Sequence, residues 1–297
     1  MNKVKIYGGL GNQMFQYALC TALNQKGKKS RISFSNFLFE DHHNGFSLCN
    51  AFKIKLSFPL CLLNNFLLIG DFLHRNRYVA FIGRRIIQWR HKLIYKSFHE
   101  KKAFNYDPEV FEQNSSFLVG IWQVESYFNN IKGIIQQEFE FRKPIDKVNI
   151  ELVQKITSCA SVSIHIRKGD YETSRWKNIL GIVNNTNYYN NAITHIKMQV
   201  KNAHFYIFSD DMEWVMKDFQ IANCTYVNHN KGKHSYIDMY LMSLCKHNII
   251  ANSTFSWWGA WLNKNESKIV IMPEKWINCD YPPVGIYPKE WIKMKEH

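Results

Sequence analysis

Ser163-Ile164-His165-Ile166-Arg167-Lys168-Gly169-Asp170-Tyr171 alternates apolar residues with His165 and Arg167, so both side chains fall on one side of a sheet. An arginine fork at a strand end suits a diphosphate held through two hydrogen bonds. The structural alternative is an ion pair from Arg167 to Asp170 that pins the turn. Phe208-Ser209-Asp210-Asp211 sets two carboxylates at the next strand end. One can cap the following helix, both could join a metal site given further oxygen ligands, or one could accept hydrogen bonds from guanine. Asn252-Ser253-Thr254-Phe255 opens a helix, where unpaired N–H groups beside hydroxyls make an anion site or simply an ordinary helix start. Trp257, Trp258 and Trp261 follow, and their bulk suits core and interdomain packing better than sugar stacking.

Gly8-Gly9-Leu10-Gly11-Asn12-Gln13 is a glycine-rich turn between a strand and a helix. It begins like a dinucleotide fingerprint, but Met14 occupies the third glycine position and no acidic residue follows about twenty residues later. That argues against an oxidoreductase. What remains is a tight turn bringing the amides of Gly9 and Gly11 and the side chains of Asn12 and Gln13 to a cleft, or a turn needing glycine only for positive φ.

The elements that must position these groups read as two α/β halves. Residues 3–7 form a strand, Met14, Phe15, Ala18, Leu19, Ala22 and Leu23 share one helical face, Gly27 stops the helix, and a strand follows at 31–34. Residues 36–155 are aromatic and basic without a sustained period. From residue 161 the alternation is regular. Strand-like runs at 162–166, 205–208, 225–227, 248–251 and 268–272 alternate with helix-like runs at 188–200, 212–219, 235–246 and 254–262. Such alternation means right-handed crossovers and a parallel sheet. The expected organisation is two Rossmann-like domains, 1–157 and 158–297, facing across a cleft, with ligands beyond the carboxyl ends of the strands.

The 297 residues carry a formal charge of +14, which favours acidic partners such as nucleotide diphosphates or anionic lipid. No aromatic-interleaved RNA-binding motif accompanies the basic residues, so nucleic acid is not an expected partner. Between Phe72 and His99 there is no acidic residue, while Arg75, Arg77, Arg84, Arg85, Arg90, Lys92 and Lys96 accumulate around Ile82, Ile86, Trp89 and Leu93 at helical spacing. This basic amphipathic stretch fits either peripheral contact with anionic membrane or a solvated face. Seven cysteines without metal-ligand spacing read as thiols in a reducing compartment, and neither a signal peptide nor a bilayer-spanning run is expected.

The turn at 8–13 with Met14-Phe15-Gln16-Tyr17-Ala18 after it, His165-x-Arg167-Lys168-Gly169-Asp170-Tyr171, Phe208-Ser-Asp-Asp, Asn252-Ser-Thr-Phe-Ser-Trp-Trp-Gly-Ala-Trp and Pro273…Trp276 together resemble the bacterial α-1,2-fucosyltransferases of glycosyltransferase family 11. The motifs occur in the family's order over residues 8–276. The resemblance implies a GT-B fold, GDP-fucose as co-substrate, no metal or other cofactor, and inversion at the anomeric carbon. It assigns Arg167 to the donor diphosphate, Ser253, Thr254 and Phe255 to the phosphates, an aspartate of the Asp210-Asp211 pair to guanine, and the 11–13 loop to the reaction centre. Lys168 departs from the second arginine of many relatives, keeping charge without the planar fork.

The donor-binding set expected on these grounds is Gly9, Gly11, Asn12, Gln13, His165, Arg167, Asp210, Asp211, Asn252, Ser253, Thr254 and Phe255. The catalytic set is Arg167 with His165 or Asp170 as base and Asn12 as an orienting group. The implied reaction moves fucose to O2 of a terminal galactose in an oligosaccharide or lipid-linked glycan, for surface polysaccharide or O-antigen, on the cytoplasmic side or peripherally on the inner membrane face. A related inverting transferase with another linkage or GDP-sugar, and a non-enzymatic nucleotide-binding protein, are the alternatives.

Overall fold

The computed structural model describes residues 1–34, 37, 45–54, 85, 89, 93–169, 180 and 187–295. It divides into two compact units, Met1–Arg142 with Val284–Ile286 and Lys143–Pro283 with Tyr287–His297. The division falls earlier than the 157/158 boundary read from the sequence. The helix spanning Lys147–Ser158 explains the shift, because its Leu152 and Ile156 pack with Tyr206, Phe208, Val227, Ile237 and Leu241 of the second unit.

In the first unit, strand β1 (Asn2–Lys5) leads through the glycine turn into helix α1 (Leu10–Gln25) and back to β2 (Ser30–Ser33). The α1 face read from the sequence, Met14 through Leu23, is buried as expected. Strands β3 (Lys96–His99) and β4 (Ser116–Val119) complete a parallel sheet of order β2-β1-β4-β3, with short helices α2 (Leu48–Ala51) and α3 (Lys132–Glu138) in the same unit.

The second unit starts with α4 (Lys147–Ser158) and continues through β5 (Ser161–Ile166), α5 (Tyr188–Gln199), β6 (His204–Ser209), α6 (Met212–Asp218) and β7 (Cys224–Val227). Then come α7 (Tyr236–Leu244), β8 (His247–Ile249), α8 (Thr254–Trp261), β9 (Val270–Pro273) and β10 (Ile292–Met294). The sheet order is β10-β9-β8-β5-β6-β7, all parallel. Both faces are covered: Phe205 and Ile207 of β6 belong to one apolar cluster, Tyr206 and Phe208 to the other, as the two-residue period of a strand requires. Trp257 and Trp258 are wholly buried and Trp261 nearly so, stacked edge and face among themselves. Two parallel-sheet α/β units in tandem constitute the GT-B class.

Candidate active site

Strand order in the second unit reverses between β5 and β8, because later strands add on one side and β6 and β7 on the other. Such a switch point opens a crevice at the carboxyl ends, where ligands of doubly wound sheets bind. Three neighbouring strands bring their ends to this rim. β5 delivers His165 and Arg167, β6 delivers Asp210 and Asp211, and β8 delivers the 252–255 segment. The strand pairing sets these three strand ends side by side.

Val162, Ile164 and Ile166 of β5 pack in one cluster, which turns His165 to the opposite face. The His165 ring lies 5.7 Å from that of Phe255, joining the β5 end to the first turn of α8. His165 is buried, and its Nδ1 has no hydrogen-bond partner. Burial first, and then the Arg167 charge, drive its basicity well below the ordinary imidazole range, with Asp210 opposing weakly. His165 is one of the two candidate bases, and this environment holds its imidazole in the neutral form. Asp170, the other candidate base, lies outside the described residues.

Arg167 reaches Asp210 through its Nε, 3.3 Å from Oδ2, and its side chain stays 24% exposed. The other oxygen of Asp210 accepts from the Lys168 amide at 2.9 Å. Asp210 thus clamps the β5 exit turn to the β6 end, and Gly169 is tight beneath it: a Cβ there would stand 3.1 Å from Oδ2. Lys168 places its ammonium 3.8 Å from the centroid of Trp214, a cation–π contact that keeps the charge at the rim. Asp211 is the N-cap of α6, accepting from the Trp214 amide at 3.1 Å. The cap expected of one aspartate is present, and the other is engaged with Arg167.

Ser253 caps α8, its hydroxyl 3.4 Å from the Phe255 amide, so that amide already has an intrachain acceptor. Asn252 is buried and its Nδ2 donates to the carbonyls of Leu180 and Trp276. That amide joins Leu180 to Trp276, while Ser253 and Thr254 start α8 after β8.

In the first unit Gly8 adopts φ +77°, and a Cβ there would meet the Asn12 Nδ2 at 2.7 Å. Gln13 is fully buried: its Nε2 donates to the carbonyls of Gly8 and Gly45, and its Oε1 accepts from the Ser47 amide. In this arrangement the Gln13 side chain shapes the turn. Gly9 is the α1 N-cap residue and Gly11 lies buried in the first helical turn. Asn12 accepts from the Gln123 Nε2 at 2.9 Å.

Sequence reasoning missed Tyr188 and Tyr189 at the start of α5. The Tyr189 hydroxyl donates to the His165 carbonyl at 3.0 Å, and that of Tyr188 lies 2.6 Å and 3.0 Å from the carbonyls of Ile250 and Ile271. They fix the ends of β5, β8 and β9; only a paired-tyrosine helix start hinted at this. Among the described residues no group of three or more His, Cys, Asp or Glu could hold a metal ion.

The model of glycosyl transferase family 11 matches residues 88–295. The O-antigen biosynthesis glycosyltransferase WbnK of Escherichia coli is 34% identical over 290 residues, covering 91% of this chain and 92% of that protein. An alpha-1,2-colitosyltransferase, also of Escherichia coli, is 31% identical, covering 92% and 91%. Galactoside alpha-(1,2)-fucosyltransferase 1 of Ateles belzebuth is 24% identical, covering 86% of this chain and 63% of that protein. With the family's pattern matched over most of its length and two relatives above 30% identity along nearly all of it, the protein belongs to glycosyltransferase family 11.

Proposed function

We propose that this glycosyltransferase moves a sugar from a GDP-sugar to a hydroxyl of a galactose-ended glycan with inversion, as a step in O-antigen or other surface polysaccharide synthesis. The observation that carries the reading is Arg167, a partly exposed guanidinium at the switch point of a parallel sheet. The acceptor oxygen forms its bond to the anomeric carbon as the bond to the diphosphate oxygen breaks, and the electron pair leaves with GDP. Negative charge grows on that oxygen, and Arg167, with the Ser253–Thr254 helix start, is aimed at it. Guanine recognition by Asp210 or Asp211, phosphate contact at Thr254 and an orienting role for Asn12 belong to the same proposal.

The donor sugar differs between the named relatives, colitose in one and fucose in another, whereas both names specify a 1,2 linkage. This supports the linkage more firmly than the sugar, so a related GDP-sugar competes with GDP-fucose as donor. The deciding experiment offers GDP-fucose and other GDP-sugars with a galactose-ended acceptor, follows GDP release and determines the product linkage by NMR. Turnover confined to UDP-sugars, or no GDP release from any GDP-sugar, would refute the reading. Activity is expected to survive EDTA, because the leaving charge is met by side chains.

The proposal extends to peripheral attachment at anionic membrane on the cytoplasmic side. Most of the 75–96 stretch lies outside the described residues, but Trp89, Leu93 and Ile94 are exposed at 65%, 66% and 57%. No helix among the described residues is long and apolar enough to cross a membrane. Co-sedimentation with anionic vesicles should weaken when Arg84, Arg85, Arg90 and Lys92 are neutralised, and an unchanged bound fraction would dismiss the attachment.

A further inference from the structure

We infer that the turn after β4 holds the hydroxyl of the acceptor sugar, with Gln123 as the side chain that receives it. β4 is an inner strand of the first sheet, paired to β1 on one side and β3 on the other. Its exit turn is held in a strained form. Gly120 has no space for a Cβ, which would lie 2.6 Å from the Glu100 Cβ and 2.7 Å from the Trp122 ring. Trp122, fully buried, adopts φ +54°, a conformation a bulky side chain rarely takes. Glu100, at the end of β3, compensates: its carboxylate accepts from the amides of Ile121 at 2.8 Å and Trp122 at 3.2 Å.

The held turn presents Gln123. This side chain is only 6% exposed, and its Nε2 donates to the Asn12 Oδ1 at 2.9 Å. Among the described residues nothing donates to its Oε1. That oxygen is not among the buried unsatisfied atoms and keeps contact with solvent, so a ligand hydroxyl can reach it and donate to it. Asn12 and Gln123 follow the ends of the adjacent parallel strands β1 and β4, so the two amides meet at one carboxyl rim. Neutral amides, which both donate and accept, suit a sugar hydroxyl. The inference rests on the proposed function in taking a glycan as second substrate, and it assigns Gln123 to binding and Glu100 to positioning.

The test compares wild type with Gln123→Leu and Gln123→Glu, using the galactose-ended acceptor and a series of acceptors each lacking one hydroxyl. GDP affinity is measured alongside. Gln123→Leu should raise the acceptor KM roughly tenfold, the loss of one hydrogen bond, with GDP affinity unchanged. The acceptor lacking the recognised hydroxyl should be equally poor for wild type and Gln123→Leu. Gln123→Glu keeps an accepting oxygen but loses the Nε2 donor to Asn12, so it should restore part of the acceptor affinity, and it carries the comparison if the leucine variant fails to fold. An unchanged acceptor KM in Gln123→Leu, or unchanged discrimination among the deoxy acceptors, overturns the assignment. Wild type releasing no GDP from any GDP-sugar instead overturns the proposed function and this subsite with it.

Discussion

Replacing Arg167 tests the chemistry most directly. The guanidinium is 24% exposed and paired edge-on to a carboxylate that is 19% exposed, so its surroundings lie between bulk water and a dry interior. At an effective dielectric constant of about 20, a unit charge roughly 4 Å from the leaving oxygen is worth about 4 kcal/mol. The Asp210 charge opposes part of this. Removing one preorganised donor to a developing anion costs about 3–4 kcal/mol, a hundred- to thousand-fold in rate. Arg167→Ala should therefore lower kcat by about two to three orders of magnitude, with a smaller change in GDP affinity, because the charge it meets grows only in the transition state. Arg167→Lys keeps a charge but loses both the fork and the Nε link to Asp210, and should fall between the two. The assay is GDP release under saturating donor and acceptor, with calorimetric GDP binding as the reference. If Arg167→Ala retained kcat within about threefold of wild type, the site would not be where the sheet topology puts it.

Asp210→Asn keeps an oxygen for the Lys168 amide but removes the charge facing the Arg167 Nε, so kcat should drop about tenfold while Tm changes little; a drop as deep as Arg167→Ala would mean that Asp210 touches substrate itself. Gly8→Ala puts a methyl 2.7 Å from the Asn12 amide at φ +77° and should cost about 1–3 kcal/mol in urea unfolding, together with activity, since Asn12 must move. Asp238, which accepts from the Asn230 Nδ2 at 2.8 Å, has its carboxyl pushed up to about 7 by burial, with that hydrogen bond opposing. Its folded pKa lies above the unfolded value, so its contribution is full below pH about 4 and is lost as pH rises through about 7. Asp238→Asn should remove on the order of 2–4 kcal/mol of the stability difference between pH 4 and pH 8. Urea midpoints at both pH values measure it, and a variant with the wild-type pH slope would show that the carboxyl ionises without penalty.

How much of this was legible depended on whether the signal was local. The inner strands of the second unit are buried on both faces and flanked by helices, so continuous apolar runs marked them: 205–208 read from the sequence against His204–Ser209 in the structure. β3 gave no such signal because three of its four residues are exposed, and β10 is a three-residue edge strand. The middle of the chain therefore hid half of the first sheet. The same rule divides the site. Asp211 as a helix cap was readable, since a cap acts on the amide three residues on. Arg167 was readable as a cation at a strand end, and Asp210 reaches it because β6 pairs with β5 in register, while Asp170, the partner that sequence adjacency suggested, lies outside the described residues. Gln13 looked like a ligand group because it is polar beside glycines, yet its partners include Gly45 and Ser47, residues no local rule connects to it. Gln123 gave no local sign at all, and its bond to Asn12 spans 111 residues. Polar side chains thus acquire their roles from the parallel pairing of strands far apart in the chain. A rim assembled this way can keep its scaffold while the few side chains presented to the sugars vary, and relatives within one family can then differ in donor sugar.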